Sequence, residues 1–107
     1  MSDNDPSMID GAARIGLAPG VRAQRDRITG QTMLLYPEAT LQLNATGTAI
    51  IELCDGRTFD EIVTALATRF GAPATVLRVD ISQYLHRLRE RHLVQWTGSV
   101  NNESVMT

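Results

Sequence analysis

Residues 33–62, MLLYPEATLQLNATGTAIIELCDGRTFDEI, pack a Pro-containing tight turn between two apolar segments and follow it at once with two helix-start signals. Leu41 and Leu43 alternate with Thr40 and Gln42, as a strand with one buried face requires. The spacing therefore predicts a strand over Thr40–Asn44, reached from a strand over Thr32–Tyr36 by the reversal at Pro37-Glu38. Upstream, Val21–Arg27 alternates weakly and Thr29-Gly30 is a turn pair, which adds a further strand and gives three short antiparallel strands.

The helical part follows from local chemistry. Asn44 can cap a short helix carrying Ile50, Leu53 and Cys54, with Asp55-Gly56 as its expected stop. Thr58 and Glu61 stand three apart as a capping box, and Phe59, Ile62, Val63, Leu66 and Phe70 then fall on one side of a second helix closed by Gly71 and Pro73. A third helix is expected from Asp80, paired with Gln83, its stripe being Leu77, Ile81, Tyr84, Leu85 and Leu88 and its end near His92. Val94 and Trp96 then return to the core. The expected fold class is α+β, an N-terminal three-stranded antiparallel sheet plus a three-helix bundle. A chain of 107 residues suits one domain. Its bounds are set at 17–97, between a flexible arm over 1–16 and a flexible tail over 98–107 that lack helical or strand periodicity.

Composition narrows function by exclusion. The apolar runs are far shorter than the ~20 residues of a membrane helix and no leader pattern opens the sequence, so a soluble, cytoplasmic protein with no membrane partner is expected. Cys54 is the single cysteine, without a second thiol for a disulfide, redox pair or zinc knuckle. A buried small hydrophobe explains it better than a nucleophile. His86 and His92 are six apart rather than the four that align two ligands on a helix, and His86 is expected to pair with Glu90 at the surface. The sequence holds no Gly-rich phosphate loop, so neither a cofactor nor an enzymatic activity is expected.

The net charge is −2 and all ten basic residues are arginine. Three strands and three helices cannot cover both borders of a sheet, and an uncovered border is a template for an extended peptide. The last strand, Thr40, Leu41, Gln42, Leu43 and Asn44, is the candidate, with the third helix as the opposite wall. Ile81, Tyr84, Leu85 and Leu88 would supply apolar pockets. At 100° per residue, Arg78 and Arg89 fall on one flank of that stripe and Arg87 and Arg91 on the other. Such a groove suits an acidic, amphipathic peptide; singly, each arginine reads equally as a solvated face beside core leucines.

The strings LLYPE, LN-x-TG-x-x-I and LCDG-x-T-x-x-EI resemble the PqqD family, the peptide chaperones of pyrroloquinoline quinone (PQQ) biosynthesis. The likeness spans about residues 17–94, and its helical part is shared more loosely by the wider class of precursor-peptide recognition domains. The resemblance implies a winged-helix-like fold in which the precursor peptide PqqA lies between the last hairpin strand and the third helix. It also implies delivery to the radical-SAM enzyme PqqE. Carried over, the groove falls on Thr40–Asn44 with Ile81, Tyr84, Leu85 and Leu88. One departure is His92, where glycine is expected after Glu90-Arg91. An exposed edge is also compatible with a homodimer. The alternative is a small winged-helix DNA-binding regulator whose third helix enters the major groove. The acidic balance, the lack of lysine and an expected turn of about nine residues between the second and third helices speak against it.

Overall fold

The computed structural model describes residues 9–97. Its elements run β1 (Arg14–Leu17), β2 (Arg22–Arg25), β3 (Thr32–Tyr36), β4 (Ala39–Leu43), α1 (Ala45–Glu52), β5 (Asp55–Thr58), α2 (Phe59–Phe70), α3 (Ala74–Glu90) and β6 (Val94–Thr97). The expected hairpin strands form an antiparallel sheet in the order β2-β3-β4, with Leu34 opposite Leu41 and Thr32 opposite Leu43. Leu34 and Leu43 are buried on the core face, while Thr40 and Gln42 are exposed, as the alternation predicts.

A second sheet, β5-β1-β6, corrects the expected single sheet. β1 pairs antiparallel with β6, Leu17 opposite Val94, and on its other side with β5. This also moves the start of the fold. Within the stretch expected as a flexible arm, Ile9, Ala13 and Ile15 are buried in the core, and the Ile9 amide donates to the buried Ser82 hydroxyl at 3.2 Å. The tail expected over 98–107 lies outside the described residues, as do residues 1–8 of the arm.

The three helices are those expected, with shifted ends. Asn44 caps α1, its Oδ1 accepting from the Gly47 amide at 2.7 Å. The helix stops at Glu52 with Leu53 as its C-cap, so Asp55-Gly56 opens β5 instead of ending the helix. The Thr58–Glu61 capping box is complete, and Gly71 closes α2 in the left-handed conformation, φ 65°. Phe59, Ile62, Val63 and Leu66 face the core, but Phe70 is 45% exposed. α3 begins at Ala74, not Asp80. Pro73, with φ −64°, precedes it as the N-cap and contributes no side-chain bond. The turn between α2 and α3 is thus three residues, Gly71 to Pro73, and the helices bend by 119° across it. The expectation of a nine-residue turn fails, and with it that objection to a helix-turn-helix geometry.

Ile81, Leu85 and Leu88 of α3 join Phe59, Ile62, Val63 and Leu66 of α2 and Ile50 and Ile51 of α1 in one buried cluster. Fully burying side chains of this size contributes about 1.5–3 kcal/mol each. After α3, His92 adopts φ 62°, the one non-glycine among the described residues with positive φ. That is the position at which glycine was expected. Holding a branched-free L side chain there costs about 1–2 kcal/mol, partly offset by the ~0.5–1 kcal/mol that glycine's extra unfolded-state freedom would cost. His92→Gly should therefore raise stability by about 0.5–1 kcal/mol, read as a higher urea midpoint at unchanged m value.

Candidate functional site: a strand edge facing α3

β4 pairs with β3 along one border, and among the described residues no strand pairs with the other. α3 runs beside this open border. Between them lies a cavity of about 300 Å³ lined by Leu41, Gln42, Leu43 and Asn44 from the strand and by Tyr84, Arg87, Leu88 and Arg91 from the helix. These are eight of the eleven residues expected from sequence. The other three sit differently: Thr40 is exposed on β4 beside the cavity, Ile81 lines the neighbouring one, and Leu85 is fully buried and serves the core. Leu85 and Leu88 both belong to the buried cluster, but only Leu88 also lines the cavity.

The arginines divide by flank. Arg78 binds Asp60 at 2.7 Å and lies over the Phe59 ring, and Arg89 stacks 4.3 Å from the centroid of Trp96, so both knit the fold together. Arg87 and Arg91 face the cavity. Arg91 donates to the Tyr36 hydroxyl at 3.3 Å, Arg87 lies 6.0 Å from the Tyr84 ring centroid, and among the described residues neither forms an ion pair. Two guanidinium groups on one rim are thus available to carboxylates, which they can grip in a fork. The expectation of arginine on both rims is corrected to one.

Tyr84 holds the centre of the site. Its hydroxyl rests against α1 where Gly47 has no side chain; a Cβ there would overlap the Tyr84 oxygen and come within 3.2 Å of Cζ. Burial pushes the phenol above its usual pKa, against a smaller opposite effect of Arg87. The glycine of the LN-x-TG string is thereby accounted for by close approach. Sequence reasoning missed this contact and the further cavity lined by Thr46, Gly47, Ile50, Leu66, Phe70, Leu77 and Asp80. A glycine at the third position of a helix was the signal that could have found it.

The side chains considered for chemistry lie apart from the groove. Burial pushes the Cys54 thiol up to about 12, with the Asp55 carboxylate adding to the shift, so the thiolate is scarce at neutral pH. Its Sγ donates to the Ile50 carbonyl at 3.3 Å, a buried, inert position. His86 does not pair with Glu90. It packs edge-on against Trp96, ring centroids 5.1 Å apart. Among the described residues, no cluster of His, Cys, Asp and Glu is arranged to hold a metal, and no single helix is long and apolar enough to cross a membrane.

The family described as coenzyme PQQ synthesis protein D (PqqD) matches residues 31–94, most of the chain and all of the groove. The chain belongs to the PqqD family. A relative from Rhizobium meliloti named PqqA binding protein is 33% identical over 85% of this chain and 94% of its own length. One of the same name from Xanthomonas campestris is 32% identical over 74% and 87%. The bifunctional coenzyme PQQ synthesis protein C/D of Methylorubrum extorquens is 28% identical over 85% of this chain but 25% of its own length, so PqqD there is one part of a fusion. The NMR structure of the PqqD truncation of Methylobacterium extorquens PqqCD superposes with a TM-score of 0.70 at 28% identity, covering 85% of this chain and 98% of that one. That structure is described as a functional, stand-alone recognition element for ribosomally synthesised, post-translationally modified peptides. The mixed architecture of three helices and antiparallel sheets is therefore the PqqD one. None of these relatives supports the DNA-binding alternative.

Proposed function

We propose that this protein is a non-catalytic peptide chaperone of PQQ biosynthesis, a winged-helix-like module that binds PqqA by adding it as a strand to β4 and presents it to the radical-SAM enzyme PqqE. The observation that carries the reading is the border of β4 that no strand among the described residues pairs with, facing Tyr84, Arg87, Leu88 and Arg91 across one cavity. Backbone hydrogen bonds along β4 would hold the peptide in any sequence, and the cavity would select among side chains. Relatives named for PqqA binding, over nearly their whole length, favour PqqA as the ligand. PqqE is the partner that the resemblance to the PqqD family implies for a bound precursor peptide.

The test is an amide NMR titration of the full chain with synthetic PqqA. The largest shifts are expected over residues 40–44 and 81–91, and broadening on adding PqqE should extend beyond them. Shifts confined to β1, β5 and β6 would reject the groove, and a PqqA complex unaffected by PqqE would reject the presentation step.

A further inference from the structure

We propose that the cavity behind Tyr84, enclosed by α1, α2 and α3, is a socket for one aliphatic or aromatic side chain of the bound precursor peptide and decides which peptides are accepted. The proposal rests on the β4–α3 groove being the peptide site and deepens it. The socket is a separate feature of about 220 Å³, walled by Ile50, Leu66, Phe70, Leu77 and Ile81. Asn44, Tyr84 and Arg87 line both it and the groove, so the two are continuous past the Tyr84 ring.

Four properties identify the occupant. Ile50, Leu66 and Ile81 are each 3% exposed or less, so the floor is fixed by the core and cannot collapse to fill the space. Phe70 at the mouth is 45% exposed, an apolar surface that a bound side chain would remove from water. The volume is below the roughly 300 Å³ at which pockets begin to take drug-sized molecules, which matches a single side chain. Charged groups, Asp80 and Arg87, stand only among the lining residues shared with the surface, where a peptide backbone and its polar neighbours would lie.

Distance supports continuity as well. From Asp80 to Arg91 the helix advances about 16 Å at 1.5 Å per residue. An extended peptide covers that in about five residues. One apolar residue at the α1 end of such a segment reaches the socket while its carboxylates, further along, meet Arg87 and Arg91. The left-out Cβ at Gly47 keeps the Tyr84 partition seated against α1, so the socket stays open.

The experiment is an alanine scan of synthetic PqqA by fluorescence anisotropy, run against the wild-type chain and against Thr46→Phe. Thr46 is exposed in the first turn of α1 and lines the socket, so phenylalanine there fills the mouth at little risk to the core. One apolar peptide position should weaken binding to wild type about tenfold or more, as a pocketed anchor does, and should lose that sensitivity against Thr46→Phe. Other positions should behave alike in both. If the peptide binds wild type but every position keeps the same effect in the variant, the socket is refuted while the groove stands. Absence of peptide binding to wild type would overturn groove and socket together. A variant whose sedimentation changes while the scan does not would assign the cavity to a second copy of the chain, and also refute the proposal. Should circular dichroism show Thr46→Phe misfolded, Phe70→Ala serves in the same scan, expected to shrink the anchor's penalty at that position alone.

Discussion

Leu41→Asp should weaken PqqA binding by about a hundredfold or more, equivalent to ~2.7 kcal/mol. Leu41 sits mid-strand on β4, opposite Leu34 on its paired side, and lines the cavity that also holds Leu88. A carboxylate there would have to be stripped of water by any peptide laid across it, a heavy penalty without a buried partner. It would also attract Arg87 and Arg91, withdrawing both from an acidic ligand. The two effects share a sign. Because Leu41 is only half-buried in the free protein, the folding cost should be about 1–3 kcal/mol, leaving a folded chain by circular dichroism. A folded Leu41→Asp that binds PqqA as wild type does would remove β4 from consideration. Leu41→Ala, which removes contact area without introducing charge, should fall between the two.

The hairpin and the caps were legible because their causes are local. An Asn44 oxygen reaching the Gly47 amide, a Thr58–Glu61 box and a glycine at φ 65° are all decided within four residues. The second sheet was not legible, for the opposite reason. β1 is four residues with a glycine in it, and its partners are a strand near the far end of the described chain and the segment DGRT, whose Asp and Gly disfavour strands. Only pairing makes them strands. Asp80 and Gln83 imitate a capping box inside α3, and the exposed Val76 and Val79 blur the apolar stripe of its first turns, which hid the start at Ala74.

The site divides along the same line. Leu41 and Leu88 could be placed because alternation and helical spacing each put an apolar residue on the side that meets the other element. Leu85 is buried and does not line the cavity, which the sequence could not show, because spacing along one helix does not say which part of a broad stripe is covered by the other helices and which meets β4. The socket draws its walls from three helices, so no single periodicity describes it. Its one trace in the sequence was Gly47.

That glycine supplies the second large effect. Gly47 is the third residue of α1, in its first turn, where Gly→Ala ordinarily stabilises by at most the ~0.8–1 kcal/mol of a helix interior. Here the new methyl would overlap the Tyr84 oxygen, and overpacking of this kind costs about 1–3 kcal/mol. Gly47→Ala should therefore lower stability by about 1–2 kcal/mol, by urea unfolding, and should displace the Tyr84 ring toward the groove and weaken PqqA binding as well. In a Tyr84→Phe background the overlapping atom is gone and the nearest ring carbon stands 3.2 Å from the methyl, close but within reach of a small ring shift. There the same substitution should be neutral or stabilising, a reversal that a double-mutant cycle resolves directly. Gly47→Ala stabilising in both backgrounds would mean that Tyr84 yields freely, and that the glycine does not hold the partition between groove and socket in place.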